Sequence, residues 1–251
     1  MIKTVILVAV RLKSNRLNKK ALIDLGNKPL LIQLSDRVKK SKLATDLVLC
    51  TSTSHEDDQI EKLANENKIK IFRGSENDVM SRFIKVGKEL GAKNIVRVTG
   101  DNPLTDPEVI DYLINIHNKN KNEYTYCDNI PIGTRSEIID TNMLSKCYEL
   151  IQDRNSSEYM TWMLNRPDYF KTEIIKHPNN KISRPELSFT IDYPEDHLCV
   201  NEIYKHFQSN LPSLEKIIEW VDLNPNLIHR LKIKENKKKP EDANWKFKKD
   251  L

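Results

Sequence analysis

Between Arg11 and Lys20 the chain reads RLKSNRLNKK, five cations and a hydroxyl in ten residues, directly behind the apolar run Thr4–Val10. Arginine forks and lysine point charges suit phosphate oxygens, and a polyphosphate needs several of them. Such a charge run is more often a solvated loop, but its place behind the most apolar segment makes a phosphate site an equal alternative. Two acids occupy comparable places. Asp101 follows Asn94–Thr99 in the run TGDNPL, and Asp192 follows Phe189–Ile191 in TIDYPED. An aspartate at a strand end can hold Mg²⁺ through one carboxylate while phosphates complete the shell. Taken alone, Gly100-Asp101 is a turn, and Asp192–Asp196 is the start of a helix at Pro194, with Glu195 and Asp196 near its positive end. Cations at one strand exit and acids at two others together fit a metal-dependent phosphate site.

Other chemistries lack their residues. Cys50, Cys127, Cys147 and Cys199 form no CxxC pair and the six histidines are scattered, so zinc and redox motifs are unsupported and reduced thiols are the plainer reading. The six glycines are too dispersed for GxGxxG or GxxxxGK[ST]. No nucleophile triad is readable.

The elements that must present the strand-end residues alternate through the first 115 positions. Strands are predicted at Thr4–Val10, Asp46–Thr51, Lys68–Phe72 and Asn94–Thr99, and helices at Pro29–Lys39, Glu56–Asn67, Asn77–Leu90 and Asp106–His117. This rhythm predicts an α/β fold, a mostly parallel twisted sheet with helices on both faces and ligands beyond the carboxyl ends of its strands. From Glu123 the rhythm breaks. Tyr124–Cys127 reads as a short strand, Pro131-Ile132-Gly133 as a turn, and Phe189–Ile191 as a strand returning to the sheet. Thr141–Ile151, Ser156–Leu164, Pro194–Phe207 and Leu214–Val221 read as helices. One domain over 1–231, with an insert at about 123–187 and a basic tail at 232–251, accounts for the pattern.

The formal charge of +5 resides mostly in that tail, where eight lysines and four acids leave +4. The body is nearly neutral, with 33 basic and 32 acidic residues, so nucleic-acid binding has little support. The longest apolar run, Val5–Val10, falls far short of the ~20 residues of a membrane span. No signal peptide is readable, and a cytoplasmic location without membrane insertion is expected. Trp245 and Phe247 give the tail two groups with which to dock on the body or a partner.

Residues 11–22 resemble the signature R-x-x-S-x-R-L-P-x-K-x-L of CMP-sugar synthetases, the cytidylyltransferases that activate 3-deoxy-manno-octulosonate and acylneuraminate. The spore-coat polysaccharide (SpsF-like) branch is the nearest in look. Its features recur in order as LGNKPLL at 25–31, TSTSHEDD at 51–58, FRGSENDV at 72–79, RVTGDNPLTDP at 97–107 and TIDYPED at 190–196. The resemblance implies a GT-A-like nucleotidyltransferase fold whose insert serves dimerisation and acceptor recognition. It also implies CTP, Mg²⁺ and a small anionic sugar acceptor as ligands, and a homodimer. Arg11, Lys20, Asp101 and Asp192 would be catalytic, the two aspartates as metal ligands. Arg11, Ser14, Arg16 and Lys20 would hold the triphosphate, and Ser52, Arg73, Asp78 and Arg82 would surround base and ribose. Asn102, Arg135, Glu137 and Glu158 would meet the acceptor.

The departures from the pattern concern the loop and the acceptor. Asn18-Lys19 replaces the usual Pro-Gly. PIGTRSE at 131–137 places Arg135 where the branch has an acid, and Tyr159 replaces a histidine. Arg135 either meets an anionic acceptor or pairs with Glu137 or Asp140. The function implied is transfer of CMP from CTP to a sugar acid for a surface glycan. The alternatives are transfer to a phosphorylated or other anionic acceptor, and a nucleotide-sugar-binding protein without turnover. A GT-A glycosyltransferase would show an Asp-x-Asp motif, whereas Asp101 and Asp106 are five apart.

Overall fold

The structure, a computed structural model, describes residues 2–13, 16–152, 154, 160–232 and 247–248. Its centre is β1 (Thr4–Ala9), whose apolar run lacks alternation because both of its faces are covered. Ile6 and Val8 enter one core with α1 (Leu30–Val38), α2 (Asp58–Glu66) and α4 (Pro107–Asn120). Val5 and Leu7 enter the opposite core with α3 (Val79–Glu89), α5 (Thr141–Leu150) and α6 (Met160–Leu164). Strand β1 pairs in parallel with β4 (Asp46–Ser52) on one side and β6 (Asn94–Thr99) on the other, and β5 (Lys70–Gly74) extends the sheet beyond β4. Aspartates start the helices that follow: Asp78, Asp106 and Asp140 cap α3, α4 and α5 through backbone N–H groups.

The break in rhythm after Glu123 has a topological cause. Strand β8 (Glu137–Asp140) inserts antiparallel between β6 and β7 (Tyr124–Cys127), and β9 (Thr172–Ile175) pairs in parallel with β7. The sheet therefore runs β5-β4-β1-β6-β8-β7-β9, with β8 the reversed strand. The middle of the chain is continuous with the main sheet. A third core joins α7 (Pro194–His206), α8 (Leu214–Asp222) and α9 (Pro225–Leu231) near a small hairpin of β2 (Asp24–Leu25) and β3 (Lys28–Pro29).

Three expectations are corrected. The Glu56–Asn67 segment is two pieces, a 3₁₀ turn at His55–Asp57 and then α2. Within Ser156–Leu164 the described helix is Met160–Leu164, and residues 155–159 lie outside the described residues. Phe189–Ile191 does not return to the sheet. The Phe189 amide donates to Ile132 O at 2.7 Å and that of Ile191 to Asp101 O at 3.0 Å, both loop residues beyond the strand ends. Its apolar side chains fill the third core instead. The docking expected of Phe247 is present: its ring meets Tyr169 edge-on at 4.9 Å, and the Lys248 amide donates to Leu150 O at 2.6 Å. Trp245 lies outside the described residues. Among the described residues no helix is long and apolar enough to cross a membrane.

Candidate active site

The exit of β1 is pinned at every step. The Gly100 amide donates to Ala9 O at 2.8 Å, the Val10 amide to Cys50 O at 3.3 Å and the Leu12 amide to Asp57 Oδ1 at 2.8 Å. Arg11 stands on this fixed backbone, between two anchored neighbours. At the far end of the loop Lys19 takes a left-handed conformation (φ +50°) and starts a 3₁₀ turn at Lys20–Leu22. That turn directs Lys20 inward, where its side chain is only 14% exposed.

The Lys20 ammonium joins the two strand-end acids. Its Nζ lies 2.8 Å from Asp101 Oδ2, 3.0 Å from Asp192 Oδ1 and 3.1 Å from Ile191 O. These three acceptors use all three of its N–H donors. Arg16 adds a second cation 3.0 Å from Asp192 Oδ1, and its guanidinium lies over the Tyr193 ring. Burial opposes the charge on Lys20, but the two carboxylates outweigh it and raise its pKa. Burial likewise opposes ionisation of Asp101, yet Lys20 and the Thr99 hydroxyl bring its pKa below the usual carboxylate value. The sequence order of these residues spans the chain, and the fold brings them to one point past the carboxyl ends of β1 and β6. Asn102 is next in line, its amide donating to Thr99 Oγ1 at 2.6 Å. Its Oδ1 is buried without a hydrogen-bond partner among the described residues.

The residues expected around base and ribose form a second group at the exits of β4 and β5. Arg73 donates to Ser52 O (3.0 Å) and Ser54 O (2.8 Å) and pairs with Asp58 and Glu61, each at 2.6 Å. It fastens the β4 exit. Asp78 accepts from the Ser81 amide at 2.9 Å and the Tyr148 hydroxyl at 2.7 Å. Arg82 is 2% exposed and donates to the carbonyls of Ser75 and Glu76. Burial lowers its pKa, and the positive charge of Arg11 adds to that effect. Arg11 and Arg82 are thus in electrostatic reach, a doubly positive spot between the loop and the β4–β5 exits.

Of the acceptor residues, Glu137 is 5% exposed and lies 2.7 Å from both Arg97 and the Thr161 hydroxyl. Arg135 is held by its own loop, donating to Ile130 O at 2.7 Å and the Tyr126 hydroxyl at 2.8 Å. It pairs with neither Glu137 nor Asp140, so the ion-pair reading is corrected to contacts within its own loop and with β7. Ser14 and Glu158 lie outside the described residues. Reading for strand-end charges missed Asp57, whose only signal is an acid in the TSTSHEDD run.

Two carboxylates aimed at one cationic nitrogen suit Mg²⁺, which takes one or two protein carboxylates and completes its shell with phosphate oxygens and water. No group of three or more His, Cys, Asp or Glu side chains placed to hold a metal ion occurs among the described residues. Phosphate oxygens and water would therefore complete the set.

A mostly parallel α/β sheet that gathers cations and paired carboxylates at its strand ends is the architecture of a nucleotidyltransferase. The chain belongs to the cytidylyltransferase family, whose sequence profile matches residues 5–236. It is 34% identical over 226 residues to an uncharacterised protein of Methanocaldococcus jannaschii, covering 90% of this chain and 93% of that one. It is 31% identical to the spore coat polysaccharide biosynthesis protein SpsF of Bacillus subtilis, covering 88% and 94%. Among solved structures, a cytidylyltransferase from Leptospira borgpetersenii superposes with a TM-score of 0.83 at 26% identity, covering 94% of this chain and all of that one. A CMP:2-keto-3-deoxy-manno-octonic acid synthetase complexed with CTP superposes at 0.61 and 14% identity, covering 83% and 100%, a likeness of fold.

Proposed function

We propose that this cytidylyltransferase transfers CMP from CTP to a sugar acid for surface polysaccharide synthesis and releases pyrophosphate. The observation that carries the reading is the Asp101–Lys20–Asp192 contact, with Arg11 and Arg16 on the same loop. Relatives named for spore coat polysaccharide biosynthesis and for 3-deoxy-manno-octulosonate cytidylyl transfer support the substrate class.

An acceptor oxygen attacks the α-phosphorus, the bond from that phosphorus to the bridging oxygen breaks, and the electron pair leaves with pyrophosphate. Arg11 and Arg16 bind the triphosphate and hold the α-phosphorus in line. Lys20 gives up a carboxylate to reach a phosphate oxygen, because its three donors are otherwise occupied. Mg²⁺ held by Asp101 and Asp192 would neutralise charge on the phosphates as they separate. Asn102, with an unpaired buried oxygen beside Asp101, offers an acceptor for a sugar hydroxyl.

The phosphorylated-acceptor alternative rested on Arg135, and that guanidinium is already engaged by Ile130 and Tyr126. The test is pyrophosphate release from each of the four NTPs with Mg²⁺ across sugar acids and sugar phosphates. Release is expected with CTP and a sugar acid. Release with sugar phosphates alone, or CTP binding with no turnover on any acceptor, would go against the reading.

A further inference from the structure

We propose that Asp57 is a positioning residue that sets the phosphate-binding loop before the nucleotide arrives; this rests on the cytidylyltransferase reading above. Its carboxylate is 1% exposed and receives four donors. The Leu12 amide donates to Oδ1 at 2.8 Å. The Thr51 hydroxyl donates to Oδ2 at 2.9 Å, the Ser52 amide at 3.1 Å, and the Ser52 hydroxyl joins them on the same oxygen. An ionised carboxylate is acceptor-only, so all four donors are matched.

The partners explain why this is more than a buried fastening. Strand β1 makes its last ladder-like contact at Val10, and the Leu12 amide is bound by an acid 45 residues further along. Arg11 lies between them. Asp57 thereby fixes the backbone on the Leu12 side of Arg11, while Cys50 O holds Val10 on the other, and it ties that backbone to Ser52 on the nucleotide side. It also supplies negative charge to a place that needs it. Arg82 feels the field of Asp57 as well as that of Arg11, so the carboxylate offsets part of the repulsion between two guanidiniums. Asp57 ends the 3₁₀ turn at His55–Asp57, immediately before α2, and from there its side chain meets the end of β4 at Thr51 and Ser52.

The experiment compares wild type, Asp57→Asn and Thr51→Val by calorimetric titration with CTP, steady-state kinetics, thermal unfolding and hydrogen exchange. An amide at 57 has one acceptor oxygen and places its NH₂ against existing donors. Asp57→Asn should therefore raise Kd and KM for CTP roughly tenfold or more, the scale of losing one charged hydrogen bond. The acceptor KM should not change, and kcat at saturating CTP should fall much less. Thr51→Val removes a donor from the same carboxylate without touching Leu12, so it should lower Tm and leave CTP affinity unchanged. Equal CTP affinity in wild type and Asp57→Asn would overturn the proposal, as would equal losses in both variants. Wild type carries its own test if Asp57→Asn fails to fold. The nucleotide-free Leu12 amide should exchange as slowly as the β1 amides, and exchange at loop rates would overturn the proposal. Failure of wild type to bind CTP would overturn the cytidylyltransferase reading and this inference with it.

Discussion

Lys20 is the residue on which the site turns, because its ammonium stands where a metal ion would share the same two carboxylates. Two acids so close repel each other when ionised, and the cation between them attracts both and brings the pKa of Asp101 down. Removing it leaves the carboxylates facing with nothing between. Fully buried pairs lose about 3–5 kcal/mol when one partner is removed, and the partial exposure of this one makes the loss smaller. Lys20→Met should bind Mn²⁺ without nucleotide roughly tenfold more tightly than wild type, since about 1.4 kcal/mol of relieved repulsion gives that factor. Electron paramagnetic resonance titration measures it directly, and turnover should fall in the same variant. Equal Mn²⁺ affinity would mean that the ammonium and the metal do not compete. The cations and strand-end acids were legible because each lies directly behind an apolar run. Asp57 was not legible, since a buried acid that serves an amide 45 residues away leaves no local pattern. The contacts of Arg135 were not legible either, since no local pattern singles out Ile130 O and the Tyr126 hydroxyl as the groups that accept from its guanidinium.

At the scale of elements, Asp192 is presented by an extended strap at residues 187–191. The strap is lashed to the 131–134 turn through Ile132 and to the end of β6 through Asp101. Gly133 makes this approach possible. Its φ is +86°, and an added Cβ would lie 2.5 Å from the Thr190 amide nitrogen and 2.6 Å from the Phe189 carbonyl carbon. Neither neighbour is a flexible side chain, so Gly133→Ala must move backbone. It should destabilise the protein by about 1–3 kcal/mol, the range of a strained backbone site, and reduce turnover by shifting Asp192 away from Lys20. Urea unfolding and pyrophosphate release check the two effects, and turnover equal to wild type would mean that the strap does not set Asp192. The same strap shows why the second half of the fold was harder to read than the first. Elements from β1 to α4 announce themselves through long periodic runs and aspartate caps. A three-residue apolar stretch looks like a strand whether its amides pair in a sheet or in a loop, and β8, four residues long and buried throughout, carries no alternation to identify it.

Across the whole molecule, acid sensitivity should originate away from the active site. Lys20, with its pKa raised, and Asp101, with its pKa lowered, remain a charged pair throughout the neutral range. The contribution of Lys20 is lost only as pH rises through its folded pKa, and that of Asp101 only as pH falls through its own. His117 behaves differently. It is 1% exposed near the C-terminal end of α4, shares a hydrogen bond of 3.0 Å with Thr125 Oγ1 on β7, and leaves Nε2 buried without a partner among the described residues. Burial, with a smaller opposing pull from Asp140, takes its pKa down to about 4 from 6.5. The unfolded chain therefore takes up a proton near pH 6.5 while the folded protein refuses it until about pH 4. Stability is complete above 6.5 and declines through that window by about 3 kcal/mol in total, at 1.36 kcal/mol per unit. Burial lowers the pKa of His177 as well, so it pushes in the same direction. Urea unfolding at pH 7.5 and 4.5 should show the decline. His117→Gln, which keeps a partner for Thr125 but cannot take up the proton, should remove most of it. A slope unchanged in that variant would place the acid-sensitive group elsewhere. Because the Lys20 pair is still charged at pH 4.5, the acid-weakened protein should open first where α4 packs on β7, with the nucleotide end of the sheet the last to lose its contacts.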